Sequence, residues 1–115
     1  MINRTCTIQK AKKYLNEYHD WKIQSIVSSS QKASHECQVR IEALDRMSQV
    51  DESTALLADL LKDRYLNRWT LVKTCTDLAE KYDIGFISER TGYRYQNMAL
   101  LIFAQTIPEQ LVCVQ

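Results

Sequence analysis

Two arginines, a tyrosine and an asparagine recur at helical spacing near the end of this chain. Arg90, Tyr93, Arg94 and Asn97 stand at i, i+3, i+4 and i+7, which places them on one face of a helix. A guanidinium pairs bidentately with guanine, and a side-chain amide with adenine, in the major groove of DNA. The pattern therefore indicates a recognition helix that reads DNA bases. The alternative is an amphipathic helix whose polar side chains only face water.

The element that must position these side chains is the stretch FISERTGYRYQNMALLIFAQ, residues 86–105. Ser88 is expected to cap the first turn, and Pro108 marks the end because proline cannot continue a helix. Leu100 and Leu101 are adjacent within this stretch. We expect at least one of them to be exposed, where it could bind a partner. The buried face is predicted to consist of five residues: Tyr95, Met98, Ala99, Ile102 and Phe103.

A shorter helix is predicted just before this one. Thr74 and Asp77 fit a capping box, and the helix is expected to end near Asp83. A small residue such as Ala79 would let two helices cross closely. A short helix, a turn with Gly85 and a longer helix follow the order of a helix-turn-helix. Any small helical bundle also contains such a pair. The buried face of the short helix is predicted from four residues: Cys75, Leu78, Ala79 and Tyr82.

The first part of the chain predicts two more helices. Residues 5–26 repeat apolar side chains at steps of three and four, with Thr5 or Thr7 as the cap. Lys12 and Lys13 make this end locally basic, so they either contact phosphates or belong to a solvated face. A second helix is predicted over residues 31–49. Its apolar stripe consists of Cys37, Ile41, Leu44 and Met47, and its polar face includes Lys32, Glu36, Arg40, Glu42, Asp45 and Arg46.

A fresh helix start is predicted at residues 51–54, where acidic and hydroxyl side chains suit a helix N-terminus. The strongest hydrophobic segment of the chain follows, ending at Trp69. It is expected to pack on the last two helices and to form the centre of the core. Its apolar stripe consists of Leu57, Leu60, Leu61 and Tyr65.

Composition favours one small all-α domain of about five helices. The chain has 115 residues, of which 45% are hydrophobic and 25% are charged, and it contains only 2 glycines and 1 proline. The expected organisation is an N-terminal helical region, 1–50, and a C-terminal helix-turn-helix region, 51–115. The net charge of +1 argues neither for nor against nucleic acid, although a local basic patch remains compatible with it.

Several function classes lack support in the sequence. The four cysteines are dispersed and do not form a CxxC pair, so we expect no metal site and no cofactor. No catalytic Ser/His/Asp set and no glycine-rich phosphate loop are visible, so we expect no enzyme. The chain shows no signal peptide and no run of roughly 18 apolar residues, so no membrane association is expected. The expected location is the cytoplasm, with reduced thiols.

The C-terminal half resembles the ArpU/RinA-like phage late transcriptional regulators and, more distantly, the fourth region of sigma factors. The similar segments are LLKDRYLNRW, DLAEKYDI and SERTGYRYQNMALLIFA, and the N-terminal AKKYLNEYHDWK is similar to the opening of that family. Residues 28–52 match poorly. Two departures concern the last helix: the turn before Ser88 is longer than in a tight helix-turn-helix, and Gly92 stands where the family has a packing residue.

The resemblance implies a small regulator, encoded by a phage or prophage in a bacterial host cell, that binds double-stranded promoter DNA. It would activate late genes together with the host RNA polymerase. The recognition-helix positions it implies are Arg90, Thr91, Tyr93, Arg94 and Asn97. We also expect a homodimer, formed through Leu100 and Leu101 or through the helix 31–49. The alternative function is a protein-interaction module, such as a polymerase adaptor or a phage packaging component, that keeps the same shape as a scaffold.

Overall fold

The computed structural model describes residues 2–107 and 110–114, and the regular elements in that part of the chain are helices. The predicted small all-α domain is thereby confirmed. The α-helices are α1 (Arg4–Asn16), α2 (Tyr18–Val27), α3 (Gln31–Ser48), α4 (Glu52–Leu61), α5 (Leu71–Lys81) and α6 (Glu89–Thr106), and a π-helical turn, Lys62–Leu66, continues α4.

Side-chain caps set where most of these helices begin. Ser88 accepts a hydrogen bond from the amide of Thr91, as the sequence predicted. Within the predicted helix start at residues 51–54, Asp51 is the cap and accepts a hydrogen bond from the amide of Thr54. The amide hydrogen bonds also lower the pKa of the Asp51 carboxyl, because they stabilise its charged form. Ser30 caps α3, whose observed bounds agree with the predicted 31–49 to within one residue.

Two predicted caps are wrong. The cap of α1 is Asn3 rather than Thr5 or Thr7, and Thr7 is instead buried inside the helix. The predicted capping box at Thr74 lies inside α5, which begins one turn earlier after the cap Thr70. The hydroxyl of Thr74 donates to the carbonyl of Thr70 and so cannot serve a helix N-terminus.

The predicted helix 5–26 is two helices, α1 and α2, which meet at Glu17. Arg40 of α3 packs at this junction with 1% of its surface exposed, and its Nε donates to the carbonyl of Tyr14 at 2.9 Å. Its guanidinium also lies 3.7 Å from the centre of the Tyr14 ring and pairs with Glu36 at 2.9 Å. The sequence had placed Arg40 on the polar face of α3, but in the structure it is buried because α1 and α2 fold over it.

The π-helical turn ends α4 earlier than the sequence predicted. The amide of Asn67 bonds to the carbonyl of Lys62, five residues back, and Trp69 lies outside the helix instead of closing its stripe. The wider turn buries both Asp63 and Tyr65. A π-bulge of this kind re-aims side chains that a regular helix would send elsewhere.

One hydrophobic cluster contains residues from both halves of the chain. The leucine stripe of α4 packs there with Leu78, Ala99 and Phe103, and half-buried Tyr82 and Ile102 join it, as predicted. Helix α6 packs against four other helices, α1, α3, α4 and α5. The positions of these four helices determine which side chains of α6 are buried.

Two side chains of α6 lie opposite to their predicted positions. Met98, predicted in the core, is 43% exposed, and Leu100, offered as an exposed edge, is fully buried. The observed buried stripe of α6 is displaced from the predicted one by about one residue and includes Leu100, because α1 and α4 also pack against this helix. Leu101 is half-buried. Helix α6 ends at Thr106, and the predicted stop at Pro108 lies outside the described residues.

The chain's ends are tied together. Cys6 of α1 and Cys113 form a disulfide, and the amide of Cys113 donates to the hydroxyl of Thr7 at 2.9 Å. The prediction of reduced thiols is therefore wrong for this pair, while Cys37 and Cys75 are free and buried. Nothing in the sequence indicated this pairing, because the two cysteines are 107 positions apart in the chain. Among the described helices, none combines the length and the apolar character needed to cross a membrane.

Candidate nucleic-acid interface

Helix α6 is anchored against α5 at a glycine. A Cβ atom added to Gly92 would lie 2.5 Å from the Sγ atom of Cys75 and 3.3 Å from a methyl group of Leu71. Glycine is therefore what permits this close crossing. The sequence had predicted Ala79 for that role, but Ala79 is half-buried and lines a groove further along α5. The departure at Gly92 is thus a packing contact between the last two helices.

A second link fixes the middle of α6. Arg64, on the π-helical turn, donates from Nε to the side-chain oxygen of Gln96 at 2.8 Å and from Nη1 to the carbonyl of Trp69 at 2.9 Å. Gln96 is only 3% exposed, so its amide oxygen needs this partner. The two bonds hold the turn before α5 beside the centre of α6. The sequence offered no signal for this link, because Gln96 resembles any polar helix residue.

With its other faces packed, α6 exposes the predicted polar stripe. Arg90, Arg94 and Asn97 are exposed, and Tyr93 is 54% exposed. None of the four forms an ion pair or a side-chain hydrogen bond with another described residue. Two guanidinium groups, an amide and a phenol are therefore available to an external partner on one rigid helix. This set offers donors to base edges and to phosphate oxygens.

Thr91 occupies a different position from the rest of the predicted set. Its amide donates to the hydroxyl of Ser88, and its own hydroxyl accepts from the same Ser88 hydroxyl at 3.1 Å. It is half-buried in this cap. Thr91 therefore holds the start of α6 in place, one turn before the exposed Arg94.

The lysines of α1 form a separate patch. Lys12 and Lys13 are exposed and border a shallow depression together with Asn16, Glu17 and Asp20. No residue of α6 lines this depression. The structure therefore does not bring these lysines together with the arginines of α6 there, and two carboxylates share the surface with them.

Two basic residues beside α5 were not predicted. Arg68 is exposed with a left-handed backbone (φ 60°), and the Nζ atom of Lys73 lies 4.1 Å from the centre of the Trp69 ring. Both flank the N-terminus of α5, where free amides favour an anion. Because Arg64 ties Trp69 to Gln96, this cationic end is held near the centre of α6. The left-handed turn at Arg68 had no signal in the sequence.

Three acidic side chains, Asp59, Asp63 and Asp77, lie near one another where α4, the π-helical turn and α5 meet. Burial of Asp63, together with the neighbouring carboxyl of Asp77, raises the pKa of the Asp63 carboxyl to about 6. Asp59 of α4 accepts from the hydroxyl of Tyr82 and pairs with Lys81 at 2.9 Å. Burial, and then the charge of Glu89, raises the pKa of the Cys75 thiol. In the described part of the chain, no three His, Cys, Asp or Glu side chains are grouped to hold a metal ion.

The chain was compared with protein-family models, curated proteins and solved structures. No protein-family model matches the chain, and no curated protein and no solved structure matches it.

Proposed function

We propose that the chain binds double-stranded DNA in a sequence-specific manner and that α6 is the helix that enters the major groove. The observation that carries the proposal is the exposed stripe of Arg90, Tyr93, Arg94 and Asn97, whose polar groups have no partner among the described residues. Guanidinium and amide groups on one helix are the pairing groups for guanine and adenine edges.

The way α6 is held supports this proposal. Its start is capped by Ser88, its crossing with α5 is fixed at Gly92, and Arg64 binds Gln96 in its middle. A helix fixed at three points keeps its exposed side chains in one orientation, which direct recognition of bases requires. Arg68 and Lys73, beside the N-terminus of α5, are the proposed contacts to the neighbouring phosphates.

The resemblance to ArpU/RinA-like regulators supplies the biological part of the proposal. The chain would be a phage or prophage regulator that activates late genes with the host RNA polymerase. Two copies on one operator would provide the specificity that one small module lacks. Because Leu100 is buried, the remaining candidate surface for a homodimer is the outer face of α3.

The test compares Arg94→Ala with Lys12→Ala on DNA selected from a random pool and on a scrambled duplex. Arg94→Ala should weaken binding to the selected DNA by roughly 1–3 kcal/mol and relax the preference at one base pair. If Lys12 contacts a phosphate, Lys12→Ala should weaken both DNAs alike and lower the salt slope by about one unit. Lys22→Ala removes the same charge from an exposed position of α2 that does not line the depression beside Lys12, and it is the control.

Equal weakening on both duplexes by Arg94→Ala would reduce α6 to a phosphate contact and contradict base recognition. Selection that enriches no sequence, with no effect of Arg94→Ala on any duplex, would contradict DNA binding by this helix altogether.

A further inference from the structure

An open groove runs between α5 and the connection to α6. Its volume is about 640 Å³, and its walls come from α5, from residues 83–87 and from Glu89 at the start of α6. The side chains of Ala79, Ile84 and Ile87 give it an apolar interior. Arg90, Tyr93, Arg94 and Asn97 do not line it, so it is distinct from the proposed DNA-binding face.

The groove has exposed apolar side chains that packing within the chain does not cover. Phe86 is 82% exposed and Val72 is 55% exposed, and both line the groove. A phenylalanine at the edge of an apolar depression is the arrangement found where a partner's side chain inserts. The fold itself gains little from Phe86 at this position, since the aromatic ring remains in water.

The charge on the rim is of one sign. Among the described residues that line the groove, the charged ones are Glu80, Asp83 and Glu89, and none is a lysine or an arginine. An apolar interior with an acidic rim is complementary to an apolar segment that has basic flanks.

We propose that this groove is a docking site for a basic amphipathic segment of another protein, with an apolar side chain seated beside Phe86 and lysines or arginines facing the rim. The same charges disfavour other occupants. Phosphates of DNA and anionic lipid headgroups would meet three carboxylates. A second copy related by a two-fold axis would bring the two acidic rims together, which costs energy.

The test uses the full chain and two synthetic helical peptides labelled with a fluorophore. Both have leucine at i, i+4 and i+7, and the remaining positions are lysine in one peptide and glutamate in the other. The lysine peptide should bind, more weakly as salt rises, and the glutamate peptide should not. Amide chemical shifts of the labelled protein should change in α5 and in residues 83–87.

Variants locate the binding. The double reversal Glu80→Lys with Asp83→Lys should lower affinity for the lysine peptide about tenfold, because two attractive charges become repulsive. Phe86→Ser should lower it by a similar factor. Two controls lie away from the groove: Glu42→Lys reverses one exposed charge on α3, and Val50→Ser removes one exposed apolar side chain. Arg94→Ala should leave peptide binding unchanged, so this proposal and DNA binding can fail separately.

Four results would overturn the proposal. These are equal binding of the two peptides, wild-type affinity in the groove variants, shift changes centred on α2 instead of α5, and no binding of the lysine peptide at low salt. Light scattering gives a further check, since a doubled mass that Phe86→Ser abolishes would assign the groove to a second copy of this chain. Circular dichroism should show unchanged helix content in every variant, because the altered positions are exposed.

Discussion

Arg40 is a fully enclosed cation at the point where α1, α2 and α3 meet. Its guanidinium uses Nε on the carbonyl of Tyr14 and Nη1 on the carbonyl and carboxylate of Glu36, and it stacks on the Tyr14 ring. A lysine has a single ammonium group and no planar fork, so it could not satisfy these acceptors together. The junction of α1 and α2 therefore depends on this one side chain.

We expect Arg40→Met to destabilise the protein by about 3–5 kcal/mol. The substitution keeps much of the side-chain volume but leaves the Glu36 carboxylate and the Tyr14 carbonyl without their donor. Urea unfolding measures the change. Arg46→Met is the matched control on the same helix, because exposed Arg46 makes a single hydrogen bond to the carbonyl of Thr106. It should cost less than about 1 kcal/mol, and equal losses would contradict the role given to Arg40.

Asp63 is a buried carboxyl whose Oδ2 atom has no hydrogen-bond partner among the described residues. Its pKa of about 6 lies above the value of about 3.9 for an aspartate in an unfolded chain. Between these two values the folded protein binds more protons than the unfolded chain. The free energy of unfolding therefore falls as the pH rises through this window.

Asp63→Asn should remove that pH dependence. An amide fits the same space, has no charge and can donate to Asp77. We expect the variant to be more stable than the wild type by about 1 kcal/mol at neutral pH, with the difference vanishing toward about pH 4. Urea unfolding at several pH values gives the measurement, with the exposed Asp20→Asn as control. A difference that stays constant with pH would show that Asp63 is already ionised in the folded state.

At the scale of elements, the crossing of α5 and α6 is set by contact between Gly92 and Cys75. Gly85, in the connection between the same helices, has open space around its Cβ position and no positive φ. The left-handed residue of that connection is Asp83, with φ 53°. The two glycines therefore differ: one is required by packing, and the other is replaceable.

Replacing each glycine with alanine tests this difference. Gly92→Ala should cost about 1–3 kcal/mol, because the added methyl group overlaps the Cys75 sulfur. Gly85→Ala should stabilise by about 0.4–1 kcal/mol, because it restricts the unfolded chain without a clash. Cys75→Ala in the Gly92→Ala background should recover part of the loss. Thermal unfolding followed by circular dichroism gives all three values, and equal effects of the two glycine replacements would contradict the close crossing.

At the scale of the whole molecule, the disulfide joins α1 to the segment after α6. Leu111 in that segment is buried in the core, and the amide of Asn3 donates to the carbonyl of Cys113 at 2.8 Å. The bond closes a loop of nearly the entire chain, so it limits the freedom of the unfolded state strongly.

Reducing this bond should lower the free energy of unfolding by about 2–4 kcal/mol. Urea unfolding with and without reductant measures the loss. The Cys6→Ser variant cannot form the bond, so its free energy of unfolding should equal that of the reduced wild type with or without reductant. The Cys37→Ser variant keeps the bond, so reductant should still lower its free energy of unfolding. Wild-type protein that unfolds identically in both buffers would show that the bond contributes nothing to stability.

The sequence by itself determined the features that depend on neighbours within a few residues. The caps at Ser88 and Asp51, the bounds of α3 and the exposure of Arg90 and Arg94 all follow from local hydrogen bonds and from a period of 3.6 residues. The capping box at Thr74 failed because the local pattern also occurs inside a helix, where the hydroxyl bonds to the preceding turn.

Only the tertiary structure decided the contacts between residues far apart in the chain. Arg40 became a buried cation because α1 and α2 close over it, and Leu100 is buried because α6 packs on four other helices. The arrangement of the helices brings Cys6 to Cys113 and Gly92 to Cys75, and the spacing of these residues in the sequence does not indicate either contact. A 3.6-residue period of apolar side chains predicts that a helix has a buried side. The helices that pack against it determine how wide that side is and where it is centred.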